Sequence, residues 1–178
     1  AQWKDKVVMA NPEKSGSAYA QVYGLYKLYG WDGVEKLINQ AKVLDSSSLI
    51  FKGVAAGEYP LGITMEYAAF RYIAGGSQEV GIIYPSDGAF VAPEGAAVVK
   101  NGPNPEEAKK FLDYLISKEV EEEIFADFFR RPARPDASDI KGLPKLSEIA
   151  VLKGFDPIEA NSMKGELLKK WKHIILSK

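Results

Sequence analysis

Apolar and polar positions recur with two different periods along this chain, and each change of period marks an element. Val7, Val8 and Met9 form a short β-compatible run closed by Asn11-Pro12, which predicts a strand over residues 6–10. From Ala18 the period becomes helical: Ala18, Val22, Leu25, Tyr26 and Tyr29 share one face, and Gly30 is placed to stop the helix. A second helix from about Asp32 turns Val34, Leu37, Ile38 and Ala41 inward, and Lys42-Val43-Leu44 follows as a short strand. Residues 49–56 then predict a helix ended by Gly57, and residues 59–65 a strand with Pro60 at its first positions, where a missing N–H is tolerated. Residues 66–74 are helical up to Gly75-Gly76, and residues 79–84 and 96–99 read as further strands. Strands alternating with helices predict an α/β unit around a mostly parallel sheet.

Beyond Pro103 the texture changes to helix after helix. Pro105 stands in a first turn, with Ala108, Phe111, Leu112, Leu115 and Ile116 as the expected buried stripe. Residues 118–129 predict another helix with Val120, Ile124, Phe125 and Phe128 apolar and Glu121-Glu122-Glu123 on a solvated face. The stretch Arg130-Arg131-Pro132-Ala133-Arg134-Pro135-Asp136 cannot be regular helix. Its arginines suit either an anion or partner patch, or a solvated connection in which they pair with nearby acids. Residues 141–154 read as a linker with a short helix. Asp156-Pro157 opens the last helix, whose face is Leu167, Leu168, Trp171, Ile174 and Ile175.

Composition narrows the chemistry. The 178 residues are 46% hydrophobic, enough for one sizeable domain or two small lobes with a core. Lys and Arg number 23 against 24 Asp and Glu, so no global field favours nucleic acid or an anionic membrane, and an anion site would have to be local. Cysteine is absent, which removes disulfides, thiolate metal sites and a cysteine nucleophile. His173 is the only histidine, and it lies beside the apolar stripe of the last helix, where packing or surface exposure is its expected role. No apolar run approaches the about 18 residues of a membrane span. The chain opens almost inside its first strand, as a fragment or processed piece would.

The chemistry that remains is recognition. Ser15-Gly16-Ser17 lies where the first strand passes into a helix, so Ser15 or Ser17 is a candidate N-cap. Such a start offers unsatisfied backbone N–H groups and two hydroxyls, with Gly16 admitting close approach, which is an anion-binding arrangement. Spacing alone also fits an ordinary serine cap that holds no ligand. Ser46-Ser47-Ser48 repeats the pattern after the second strand. In a parallel sheet both starts point at one edge, and Thr64-Met65-Glu66-Tyr67 ends a third strand there. Glu66 repels a bare anion and suits a cation, an amine or sugar hydroxyls. Tyr67 offers a hydroxyl, a stacking face or a phenolate ligand. No nucleophile–base pair, Walker-type loop or metal-ligand spacing is present, so nothing requires an enzyme.

Several stretches together resemble the periplasmic binding proteins of ferric-iron-type ABC importers, a family that also includes binders of phosphonates, phosphoglycerate and sugar phosphates. They are residues 3–12, Ser15-Gly16-Ser17, Gly57-Glu58-Tyr59-Pro60-Leu61-Gly62-Ile63-Thr64, residues 80–85, Pro93-Glu94-Gly95-Ala96-Ala97-Val98-Val99-Lys100, and residues 104–111. The likeness continues through Pro132-Ala133-Arg134-Pro135-Asp136 to the Trp171 helix. It implies an α/β fold, a type II periplasmic-binding-protein-like lobe with a mostly parallel sheet, plus a helical segment belonging to the other lobe. Residues 1–97 and 149–178 would form the second lobe, residues 98–148 would return toward the first, and the first-lobe sheet would be absent.

By the same resemblance Ser15, Gly16 and Ser17 match the anion-cradling helix start, Ser47 falls at another anion-contacting position, and Tyr67 matches the first of two iron-ligating tyrosines. Ala68 holds the second tyrosine's place and Met65 that of an expected asparagine, which argues against ferric iron and leaves the anion half intact. The implied function is an extracytoplasmic, periplasmic solute-binding component of an ABC importer. It would bind a small anion (organophosphate, phosphonate or phosphate-like) with no cofactor, with Thr64 and Glu66 reading the rest of the ligand and Asp87 or Phe90 lining the cleft. Partners would be the ABC permease and a missing N-terminal lobe or a second copy of the chain. Ferric binding with a synergistic anion, Tyr67 as metal ligand, and an orphan half acting as a dimerising interaction module are the alternatives.

Overall fold

The structure, a computed structural model, describes residues 2–153 and 155–177. Its first part is a repeated strand–helix alternation: β1 (Val7–Ala10), α1 (Gly16–Gln40), β2 (Ala41–Leu44), α2 (Ser47–Ala55), β3 (Leu61–Ile63) and α3 (Glu66–Ala74). The strands pair in the order β2-β1-β3, both ladders parallel, with Val7 opposite Ala41 and Leu61. Parallel neighbours cannot be joined by a hairpin, so α1 and α2 are the crossovers the topology demands.

The central strand is buried at all four positions. Val7 and Met9 pack in one cluster with Val22, Val34, Ile38 and Trp171, while Val8 and Ala10 pack in another with Ala18 and Ile50. Burial on both faces explains why β1 reads as an unbroken apolar run rather than an alternation. α2 rides close on the sheet at Gly62, where a Cβ would come within 2.8 Å of Ile50 Cγ2 and 2.9 Å of Val54 Cγ2. The stop expected at Gly30 is a break inside α1: Gly30 alone takes φ 62°, ψ −163°, and helical turns continue on both sides.

The last helix of the chain, α6 (Pro157–Leu176), closes this layer against α1. Asp156 caps it by accepting from Ile158 N at 2.8 Å, and Leu167 and Trp171 are buried. Tyr19 donates to the Ala160 carbonyl at 2.5 Å, Tyr23 meets Phe155 edge-on, and Lys27 pairs with Glu159 at 3.0 Å. Burial, reinforced by the Glu159 carboxylate, pushes the Tyr23 phenol up to about 12.

Two expected strands do not form. Residues 79–84 and 96–99 are irregular, with Ile83 and Val99 strongly exposed. A strand needs a partner strand to satisfy its backbone, and among the described residues no strand pairs with either segment. One isolated bridge, Ala89 with Val151, ties residue 89 back to the stretch before α6.

Contacts divide the chain into two compact units, Ala1–Ala92 with Leu146–Lys178, and Pro93–Lys145. In the smaller unit, α4 (Pro105–Leu115) is followed by α5 (Lys118–Val120), which continues as a π-helical turn, Glu121–Phe125. The stripe expected to be buried on α4 is not: no α4 residue is buried, and Phe111 and Phe128 are 60% and 63% exposed. An amphipathic pattern records that a face is to be covered and leaves open what covers it.

The acidic triple is also corrected. Glu121 is buried and accepts from Arg134 N at 2.9 Å, and the partly exposed Glu122 accepts from Ser138 N and Oγ at 3.1 Å, so two of the three glutamates pin the 134–138 loop. Arg130 pairs with Glu94, Arg134 forks onto Asp136, and Arg131 donates to the Pro144 carbonyl. The hydrogen bond from Arg134 holds the Asp136 carboxyl below its ordinary range. The linker contains a single 3-10 turn, Leu146–Glu148, and its last residue, Gly154, lies outside the described residues.

Candidate functional site

The parallel register brings three strand ends to one edge. Ala10 is level with Leu44, and Ile63 is level with Met9, so the loops after β1, β2 and β3 emerge side by side. Asn11 N donates to the Leu44 carbonyl at 2.8 Å, joining the first two loops. Each loop runs directly into a helix, and the starts of α1, α2 and α3 therefore crowd the same edge. Ser15, Gly16, Ser17, Ser47, Thr64, Glu66 and Tyr67 all lie in these three loops or first turns.

Local chemistry explains the first start. Asn11 accepts from Glu13 N with its side chain and from Lys14 N and Ser15 N with its carbonyl, which turns the chain sharply after the strand. Ser15 is then extended (φ −136°, ψ 121°) and caps α1, its Oγ accepting from Ala18 N at 3.3 Å while lying 3.0 Å from Ser17 Oγ. Nothing lies within 4 Å of where a Gly16 side chain would begin, so the backbone there is open to approach. At α2 the cap is Ser46: its Oγ accepts from Ser48 N at 3.3 Å and lies 2.9 Å from Ser48 Oγ, whereas Ser47 is the first helical residue.

The three starts differ in charge. Neither α1 nor α2 has an acidic residue in its first turn, so the partial positive charge of each N-terminus is not met from within its own first turn. α3 has Glu66 in its first turn and no side-chain cap from Met65. The Tyr84 hydroxyl donates to Glu66 Oε1 at 2.6 Å. Between the first two starts, Lys14 Nζ pairs with Asp45 Oδ2 at 2.7 Å, each residue standing just before its helix's serine cap. The Thr64 hydroxyl oxygen is buried with no hydrogen-bond partner among the described residues. This edge thus offers two helix ends with paired hydroxyls and no acid in the first turn, and one carboxylate-bearing helix end.

Sequence reasoning missed Lys14, Asp45 and Tyr84. Lys14 and Asp45 each precede a serine cap, but only the pairing of β1 with β2 brings their side chains together; Tyr84 reaches Glu66 from an irregular segment that no period identifies. Phe90, considered for a cleft wall, is packed elsewhere: its ring stacks on Phe155 at 6.2 Å and lies over Gly24, where a Cβ would be 2.5 Å away. His173 lines a shallow depression with Glu35, Asn39, Ile174 and Ser177 in the α1–α6 region.

A family model described as bacterial extracellular solute-binding protein matches residues 1–156. The major ferric iron-binding protein of Neisseria meningitidis serogroup B is 27% identical over 158 residues, covering 83% of this chain and 47% of that protein. The chain therefore spans about half the length of the curated relatives it matches. Among solved structures, a protein described as a two-component system protein mediating signal transduction superposes with a TM-score of 0.82 at 25% identity, over 93% of this chain and 58% of that one. The substrate-binding protein of an ABC transporter from Agrobacterium tumefaciens superposes with a TM-score of 0.69 at 17% identity, over 98% of this chain and 55% of that one. The α/β, periplasmic-binding-protein-like fold expected from the sequence is the fold of such binding-protein structures.

Proposed function

The chain belongs to the bacterial extracellular solute-binding proteins, and from that premise we propose that it is part of the extracytoplasmic solute-binding component of an ABC importer, with a small phosphate-like anion as its ligand. Organophosphates, phosphonates and phosphate itself are the class meant. The observation that carries the reading is the pair of serine-capped helix starts, α1 and α2, side by side at the carboxyl edge of the sheet with no acid in either first turn. Each such end contributes about 0.3–1 kcal/mol toward a bound negative charge, and hydroxyl donors at Ser15, Ser17 and Ser47 add charge-assisted bonds. Thr64, Glu66 and Tyr67, on the third start, read the non-anionic part of the ligand.

In this reading residues 98–148 return toward a first lobe that the family supplies from residues outside this chain, and that lobe covers the apolar face of α4. A permease in the membrane receives the ligand from the closed pair of lobes.

Ferric binding with a synergistic anion is the second reading. The likeness to a ferric iron-binding protein and the retained Tyr67 favour it; Ala68, buried where a second phenol would stand, and Met65 weigh against it.

Melting curves with inorganic phosphate, a sugar phosphate, a phosphonate and ferric citrate discriminate. A ligand at about 100 times its Kd adds about 2.7 kcal/mol to stability, a rise of several degrees for a protein of this size. A rise with the phosphorylated compounds supports the anion reading. A visible phenolate-to-iron absorption band with ferric citrate, lost in Tyr67→Phe, supports the ferric one. A flat response to all four refutes both for this chain.

A further inference from the structure

We propose that the Lys14–Asp45 ion pair is a charge lock on the anion site, in which Asp45 sets how strongly the site holds an anion and which charge state it prefers. The inference rests on the proposed anion site and adds a specificity-determining pair to it.

Lys14 directly precedes the cap of α1 and Asp45 the cap of α2, and their side chains meet at 2.7 Å across loops that strand register and the Asn11–Leu44 hydrogen bond hold together. Both side chains face water, at 53% and 72% exposure, so the pair is weak enough to exchange partners. A fully ionised anion at Ser15–Ser17 or Ser46–Ser48 is attracted by Lys14 and repelled by Asp45, and must compete with Asp45 for the ammonium.

The lock has a distinctive signature. In the empty site the two charges cancel; without Asp45 the site gains a free cation, and without Lys14 it keeps a lone carboxylate. A single water-facing charge a few ångströms from a bound anion changes affinity by roughly three- to tenfold for a monoanion, and Coulomb energy is linear in charge, so the factor for a dianion is about the square of that.

The test is isothermal calorimetry of inorganic phosphate binding to the full chain, at low and raised ionic strength, well below and well above the second ionisation of phosphate. The variants are Asp45→Asn, Lys14→Gln and the double substitution. Asp45→Asn is expected to tighten phosphate, more for the dianion than the monoanion and less as salt rises. Lys14→Gln is expected to weaken it, and the double variant to return close to the parent value. Neither side chain is buried, so all three variants fold, which circular dichroism verifies. Phosphate binding that is unchanged or weakened by Asp45→Asn overturns the lock and leaves the anion site standing. Absence of phosphate binding in parent and variants alike overturns both.

Discussion

Replacing Ser15 separates two roles that its position combines, capping a helix and holding an anion. In the empty protein Ser15 Oγ accepts from Ala18 N and contacts Ser17 Oγ. Ser15→Ala removes the cap, which costs about 1 kcal/mol. With an unfolding entropy of about 2.1 cal/mol/K per residue, the 178 residues carry about 0.37 kcal/mol/K, so the melting midpoint falls by about 3 °C. Ser15→Asp has the opposite signature. Aspartate caps as well as serine and adds a negative charge at an uncompensated N-terminus, so the midpoint without ligand holds or rises by about 1–3 °C. That same carboxylate occupies the anion's place, and like charges about 4 Å apart at a protein surface repel by about 1–4 kcal/mol, a loss of at least about fivefold in affinity. The assay is thermal denaturation followed by far-ultraviolet circular dichroism, with and without saturating phosphate. If Ser15→Asp loses as much midpoint as Ser15→Ala, the capping argument is wrong. If Ser15→Asp keeps the full phosphate-induced rise, the anion does not sit at the start of α1.

Three further outcomes follow from the packing. Gly62→Ala forces a methyl against Ile50 Cγ2 and Val54 Cγ2, on stiff β-branched side chains, and is expected to cost about 1–3 kcal/mol by urea denaturation; an unchanged midpoint would mean that α2 does not ride this close. Tyr23 is held neutral, its folded value raised from 10.0 to about 12, so its contribution is complete below pH 10 and drains away as pH rises toward 12; Tyr23→Phe should flatten the loss of stability across that window, and an unaltered alkaline profile would count against the assigned burial. Glu121→Ala leaves the Arg134 N–H without its acceptor, so hydrogen exchange at residue 134 should accelerate by about tenfold or more while β1 amides stay protected; equal rates in parent and variant would show that the glutamate does not hold this loop.

The core and the candidate site differ in how much of each is legible in the sequence. β1, α2, α3, α4 and α6 stand out because each has a clean period and a stop or start signal, and a serine cap is legible at Ser15 or Ser17 because serine before a helical stripe favours that position, with the backbone deciding for Ser15. Ser46 rather than Ser47 caps α2, since in a run of three serines only backbone geometry decides which one turns the corner. Residues 79–84 and 96–99 have strand composition but form no strand, because composition supplies a willing face and pairing supplies the hydrogen bonds. Phe111 and Phe128 are apolar on schedule and exposed all the same.

By itself, then, the sequence determined the local elements and their chemistry: periodicity fixes which face is apolar, and caps and glycines fix where helices begin and break, since both depend on neighbours within a few residues. Only the tertiary structure decided that Lys14 meets Asp45, that Tyr84 reaches Glu66 and that Glu121 is buried. Those juxtapositions depend on parallel register and on loop paths joining residues far apart in the chain, and no local pattern encodes a distance between two elements.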